Sequence, residues 1–342
     1  MAIVTIGIPV FNEGDYLSET IDSAIKQTLS DIKIIISDNA STDKSFEIAS
    51  EYSKRDPRVR VVRQKENIGP INNFRYLLDE TKTPYFVWLG GHDVFVNDYL
   101  EKAVNNLEND QGTVMVYPGR AVFIDKTNNY LSGNACSNIS TLGIRHPLKR
   151  VKHIVENLQF CTNIHGVFRA DVLRQLPFEK VIGPDNLMLA LAGVFGHICE
   201  IDTIGIRRRE IRTEDYCQQR KRWEDAGVFS NKKGVDPYKK LIDLHLRYIK
   251  NSKEIGLLDK ILNSYSLHEV LYSTYLGPEY FKNQSYDVAN RALDSKTKTR
   301  GLSVLGASIK KSPGLVFSRA ILVAAKRILF TKNMPARSLK SS

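Results

Sequence analysis

Two hydrophobic periods alternate along the first third of the chain. Apolar residues run together over 3–10, 32–37, 59–63 and 85–89, short stretches that suit strands buried on both faces. Between them apolar positions return at helical spacing. Leu17, Ile21, Ala24 and Ile25 mark one face of a helix over 16–27, and further helices are predicted over 43–55, with Ser41 or Thr42 as its cap, and over 71–80. Strands alternating with helices of this length predict βαβ units, and hence an α/β fold with a mostly parallel central sheet flanked by helices in the Rossmann-like manner.

The pattern continues with a helix over 99–108, strands over 113–117 and 121–125, and a polar loop over 126–150 that has no period. Helices over 151–158 and 170–176 flank the short apolar piece His165-Gly166-Val167-Phe168-Arg169. A strongly apolar helix over 185–194, a strand over 196–206 and a cationic hinge over 207–222 follow. Beyond Tyr238 the pattern is purely helical to about Leu293. The expected organisation is an α/β domain over 1–223, a C-terminal helical appendage over 224–294 and a basic tail over 295–342.

The chemistry concentrates where the predicted strands end. The strand over 85–89 stops at Gly90-Gly91, and His92 and Asp93 come next. Asn12 and Glu13 follow the first strand, and Asp38 and Asn39 close the second. Ligands of open α/β sheets bind at this edge, and a carboxylate there can hold a divalent cation that in turn holds phosphate oxygens. Each acid also has a plainer reading as a cap or turn residue. The convergence of three units favours one pocket. The chain has neither GxGxxG nor GxxxxGK[ST], so a dinucleotide fingerprint and a P-loop are both absent.

The runs VTIGIPVFNEGDYLSETIDSAIKQTLSDIKIIISDNASTD, ENIGPINNF and WLGGHD resemble, in order and spacing, those of family 2 glycosyltransferases, over roughly the first 220 residues. The resemblance implies a GT-A fold and an inverting transferase that uses a nucleoside diphosphate sugar, a UDP-sugar foremost, with Mn2+ or Mg2+ as cofactor. By motif match Pro9, Phe11, Glu13 and Asp38 would line the nucleoside site, Asn67 and Asn73 would support the donor, and Asp93 would hold the metal. Gly91 departs from the family, standing where the first acid of the DxD motif is usual, which leaves His92 either a contributor to the site or a solvated side chain. Asp185, at the start of an apolar helix, matches the family's general base and reads equally as a cap. Arg209, with Arg207, Arg208 and Arg212, either faces the departing diphosphate or pairs with Glu210, Glu214 and Asp215. His165 resembles the family's small polar position before the GVFR stretch, where it would touch acceptor or donor, and reads more commonly as a structural histidine.

Composition changes the picture in one respect. The net charge is +11, and eleven Lys and Arg with no Asp or Glu lie in 295–342, so the rest of the chain is neutral overall. Arg319 and Lys326 share a helical face of the apolar run 315–330, as in membrane-surface helices drawn to anionic lipid. This favours a glycan or lipid-linked acceptor in cell-surface polysaccharide synthesis. Nucleic acid is disfavoured, because the tail has only Phe317 and Phe330 for stacking. The four scattered cysteines, the lack of a secretory leader and the lack of an unbroken apolar span predict free thiols in a cytoplasmic protein, peripheral at the inner membrane face. A non-catalytic nucleotide- or glycan-binding relative remains the alternative.

Overall fold

A computed structural model describes residues 2–132, 134–210, 221 and 236–277. Contacts divide the chain into two compact units, 1–248 and from 249 onward. The first unit holds a nine-stranded sheet in the order β3-β2-β1-β4-β8-β6-β9-β5, with β7 paired to β6. The strands are β1 (Val4–Val10), β2 (Ile32–Asp38), β3 (Val59–Arg63), β4 (Tyr85–Trp88), β5 (Val94–Phe95), β6 (Thr113–Ile124), β7 (Tyr130–Ser132), β8 (Val167–Arg169) and β9 (His197–Arg209). All but β5, β7 and β8 run the same way. The helices are α1 (Leu17–Ile25), α2 (Ser45–Arg55), α3 (Pro70–Asp79), α4 (Tyr99–Asn109), α5 (Pro147–Asn157), α6 (Ala170–Leu173), α7 (Pro184–Phe195) and α8 (Pro237–Asn251). In the second unit α9 (Leu257–Leu276) is described. Among the described residues no helix is long and apolar enough to cross a membrane. The expected tail over 295–342 lies outside them.

The apolar runs are buried on both faces, as strands covered by helices must be. Ile6, Ile8, Ile34, Ile36, Val87 and Leu89 pack with Leu17 and Ile21 of α1, Ala49 of α2 and Leu100 of α4. On the other face Trp88 stands among Phe74 of α3, Phe86, Phe168 and Phe178, its indole N–H donating to Phe74 O.

Several boundaries differ from the sequence pattern for local reasons. The two strands expected over 113–125 are one, because register shifts between β6 and β9 absorb Pro118-Gly119. α5 starts at Pro147, inside the expected loop, where His146 Nδ1 accepts from Leu148 N–H and proline suits the first turn. Neither Ser41 nor Thr42 caps α2: Ser41 Oγ accepts from Asn12 N–H, and the α2 turn is held by Asp43, which accepts from Ser45 N–H and Gly14 N–H. The cationic hinge begins later than expected, since Arg207, Arg208 and Arg209 extend β9 and pair with Val122, Phe123 and Ile124 of β6.

The 3₁₀ turn Cys161–His165 enters β8 through Gly166, packed against β6. A Cβ at Gly166 would meet Met115 Cε and come within 2.9 Å of Val116 O. Gly166→Ala is therefore expected to destabilise the protein by about 1–3 kcal/mol through overpacking, read as a lower urea midpoint.

Candidate functional site

Parallel pairing sets Val10 beside Asp38 and Gly7 beside Trp88, so β1 and β2 end together and the chain leaving β4 runs on beside the last residues of β1. The two turns leaving β1 and β2 contain Asn12 at φ 57° and Ala40 at φ 60°, left-handed conformations costly for residues other than glycine. They are held by cross-links: Thr42 N–H donates to Asn12 Oδ1, Glu13 N–H to Ser45 Oγ, and Ile68 N–H to Asn39 Oδ1. Asn67 Oδ1 accepts from Asn39 Nδ2 and from Gly69 N–H, building the loop before α3. Asn73 is buried deeper, bonding Ser37 through both ends of its amide. Phe11 is exposed at the lip.

Asp38 is fully buried. Its Oδ2 lies 3.4 Å from Arg63 Nε and accepts from Ser41 N–H, while Oδ1 has no hydrogen-bond partner among the described residues. An unmet buried acceptor costs about 1–3 kcal/mol, which a ligand N–H would recover.

Asp93 does not cap the next helix; α4 begins after Asp98, and Asp93 is buried within the turn. Its Oδ1 accepts from Arg209 N–H at 2.9 Å. Its Oδ2 lies 3.6 Å from His165 Nε2. A Cβ at Gly90 would stand 2.7 Å from that Oδ2. The glycine at 91 has a parallel cause: a Cβ there would meet Glu13 Cγ at 3.0 Å and Pro9 O at 3.4 Å. Glu13 thus occupies the space beside the missing acid, and its Oε1 lies 3.0 Å from His92 Nδ1. Glu13, His92, Asp93 and His165 form one cluster. Its donor set, carboxylate oxygens beside imidazole nitrogens, is of the kind that divalent transition ions take, and Asp93 Oδ2 packs so closely on residue 90 that only glycine fits there. Among the described residues no three His, Cys, Asp or Glu side chains are set to hold an ion by themselves.

Burial pushes His165 below the usual histidine range, although the Asp93 carboxylate pulls the other way. His165 ends the 3₁₀ turn, and Cys161 begins it. The Cys161 thiol donates to Asn186 Oδ1 at 3.0 Å, with the Asp185 carboxylate close by; burial first, then the Asp185 charge, raises it and keeps it protonated. One short turn therefore links the Asp93 cluster to Asp185. Asp185 lies in the first turn of α7, whose N-cap is Gly183. Cys136, Cys161 and Cys199 are free thiols; Cys217 lies outside the described residues, as do Arg212, Glu214 and Asp215.

The three arginines of β9 differ. Arg209 is buried: its Nη2 donates to Glu19 Oε2 at 2.6 Å, Nε to His92 O, and Nη1 to Asp125 O and Lys126 O, with the guanidinium over Tyr16. Its acidic partner is thus Glu19 of α1. Arg208 Nη1 donates to Thr162 Oγ1 and its charge acts on both His165 and Cys161. Arg208 belongs to the arginine cluster expected near the diphosphate, whereas Thr162 and Cys161 carry no sequence motif that marks them as site residues.

On α8, beside the Asn186 backbone at the start of α7, His245 is fully buried and donates from Nδ1 to Leu241 O at 2.8 Å. Burial pushes its pKa down to about 4. The unfolded chain protonates near 6.5 while the folded ring resists, so this contribution is complete above about 6.5 and is lost as pH falls toward about 4. The loss is expected to be about 3 kcal/mol, with His165 adding in the same direction. Urea unfolding at pH 7.5 and 4.5 should show it, and His245→Gln should flatten it. The lowered carboxylates Asp43, Asp56, Asp110 and Asp125 titrate below this window.

Known proteins resemble this chain in sequence and in fold. A glycosyltransferase of uncharacterised specificity from Haemophilus influenzae is 25% identical over 278 residues, covering 79% of this chain and 80% of its own. A second from the same organism is 31% identical over 131 residues, 38% of this chain and about half (52%) of its own length. Among solved structures, S. aureus TarS 1–349 with UDP-GlcNAc superposes at a TM-score of 0.60 and 15% identity, covering 90% of this chain and 81% of that one. The mannosyltransferase PcManGT of Pyrobaculum calidifontis, with GDP-Man and Mn2+, gives 0.51 at 15% identity, covering 97% and 88%. These likenesses identify a GT-A fold. The sequence pattern of Glycosyl transferase family 2 matches residues 5–176, half of the chain and the part that builds β1 to β4 with the Asp38 and Asp93 turns; the chain belongs to that family.

Proposed function

We propose that this chain transfers a sugar, with inversion, from a nucleoside diphosphate sugar to a glycan or lipid-linked acceptor in cell-surface polysaccharide synthesis. The observation that carries the reading is the meeting of Asp38, Glu13, His92 and Asp93 on one sheet edge, tied by the 161–165 turn to Asp185. Pro9, Phe11 and Asp38 hold the nucleoside, the Asp38 Oδ1 lone pair taking a base N–H, while the Asn67 loop and Asn73 keep the β2 edge in shape. A divalent cation on Asp93 would neutralise the donor diphosphate. Asp185 removes the acceptor hydroxyl proton as that oxygen attacks the anomeric carbon, and the diphosphate departs from the opposite face. Arg208 offsets the charge it carries away. Arg209 acts indirectly, by fixing Asp93 and the His92 carbonyl. The transfer domain spans 1–223, followed by a helical extension over 224–294. The basic segment 295–342 supports an anionic membrane surface as a further partner on the cytoplasmic side.

TarS is crystallised with UDP-GlcNAc and with UDP, which supports a UDP-sugar for this chain. Calorimetric titration of UDP and GDP with and without Mn2+ tests this. UDP is expected to bind only with the metal, and Asp93→Ala to weaken it more than about tenfold. Metal-independent binding that survives Asp93→Ala would refute the metal assignment. A second reading, a non-catalytic nucleotide binder, is favoured by Gly91 alone, which removes the usual first acid.

A further inference from the structure

The lost acid of the metal motif has a candidate replacement of different chemistry. His165 Nδ1 lies 2.9 Å from Trp88 O. A carbonyl oxygen only accepts, so Nδ1 carries the hydrogen, and Nε2 is the ring nitrogen left to offer its lone pair to a cation. That lone pair faces Asp93 Oδ2 at 3.6 Å, beyond hydrogen-bond range. Two ligands each about 2.1 Å from a shared ion stand about 3–4 Å apart. The ring is held in place: Tyr99 Oη donates to His165 O at 3.0 Å, and Gly166 is wedged against β6. A histidine whose second nitrogen is pinned to a backbone carbonyl is the usual preparation of an imidazole for metal.

Resting on the reading above, we propose that His165 Nε2 is a second protein ligand of the cation held by Asp93, giving a mixed nitrogen and oxygen site that prefers Mn2+ to Mg2+. Imidazole favours transition ions, whereas Mg2+ prefers oxygen ligands alone. With two protein ligands, the other coordination positions are open to donor phosphate oxygens and water. His92 is the neighbouring alternative nitrogen, but its Nε2 lies 4.0 Å from Asp93 Oδ1, the oxygen already engaged by Arg209 N–H.

Pulsed electron paramagnetic resonance of Mn2+ bound to the full chain, alone and with UDP, reads ligand nitrogen directly. A directly bound imidazole nitrogen coupling is expected in wild type and in His92→Gln, and lost in His165→Gln together with about tenfold or more of Mn2+ affinity. Mn2+ bound by wild type without that coupling, or a coupling that persists in His165→Gln, would overturn the inference without needing the variant to be active. If Asp93→Ala abolishes Mn2+ binding and His165→Gln leaves it intact, the metal-dependent reading stands and this one falls. Failure of wild type to bind Mn2+ even with UDP removes both.

Discussion

Asp185→Asn is expected to lower turnover by about 10²–10⁴-fold while leaving donor affinity within about twofold of wild type. A sugar hydroxyl is a weak nucleophile, and a carboxylate that accepts its proton in the transition state acts on the acceptor, not on the nucleotide. Asparagine keeps the shape of the side chain and can still meet the Cys161 thiol and the start of α7, but it cannot take the proton. The fold should barely notice: the N-cap of α7 is Gly183, and a first-turn carboxylate contributes about 0.3–1 kcal/mol through the helix dipole. The measurement pairs nucleoside diphosphate release from a UDP-sugar, with a panel of glycan acceptors, against calorimetric donor binding. Unchanged turnover would dismiss Asp185 as base. A wild type that binds donor but turns over none of the panel would shift the reading to the non-catalytic binder.

Arg209→Met is expected to cost about 3 kcal/mol of stability and to weaken Mn2+-dependent UDP binding. Methionine refills much of the volume but leaves His92 O, Asp125 O and Lys126 O without their donor, and leaves Glu19 without its cation. Glu19 is 40% exposed on its side chain and can rehydrate, which keeps the loss at the low end for a broken buried pair. Arg209→Lys should rescue little, since one ammonium cannot span acceptors arranged around a planar fork. Urea unfolding and calorimetry separate two roles. Lost affinity with unchanged stability would make Arg209 a donor contact, not a clamp.

Both predictions depend on residues whose roles were unequally visible in the chain. The β1-α1-β2-α2-β3-α3-β4 order was legible because strands buried on both faces must read as short apolar runs, and the covering helices must return apolar residues at helical spacing. The edge acids Glu13, Asp38 and Asp93 were legible for the same reason, since an apolar run that stops at polar residues marks where a strand leaves the core. Boundaries were less visible wherever a tertiary contact overrode a local signal. Pro118-Gly119 looks like a break, yet pairing with β9 carries the strand through it. Arg207-Arg208-Arg209 looks like a solvated hinge, yet those residues complete β9.

The sequence by itself determined the α/β order, the sheet edge at which chemistry collects, and the family-like motifs with a glycine in the first metal position. Only the tertiary structure showed what surrounds that glycine: Glu13, far away in the chain, packs so close that a Cβ at position 91 would crowd it. It likewise decided that Arg209 is a clamp on Glu19 and the His92 carbonyl, and that the 161–165 turn joins Asp93 to Asp185. Periodicity reports which face of an element is buried, because burial repeats with the element. It carries no record of which distant side chain meets which, because those meetings are set by loop paths and packing between elements.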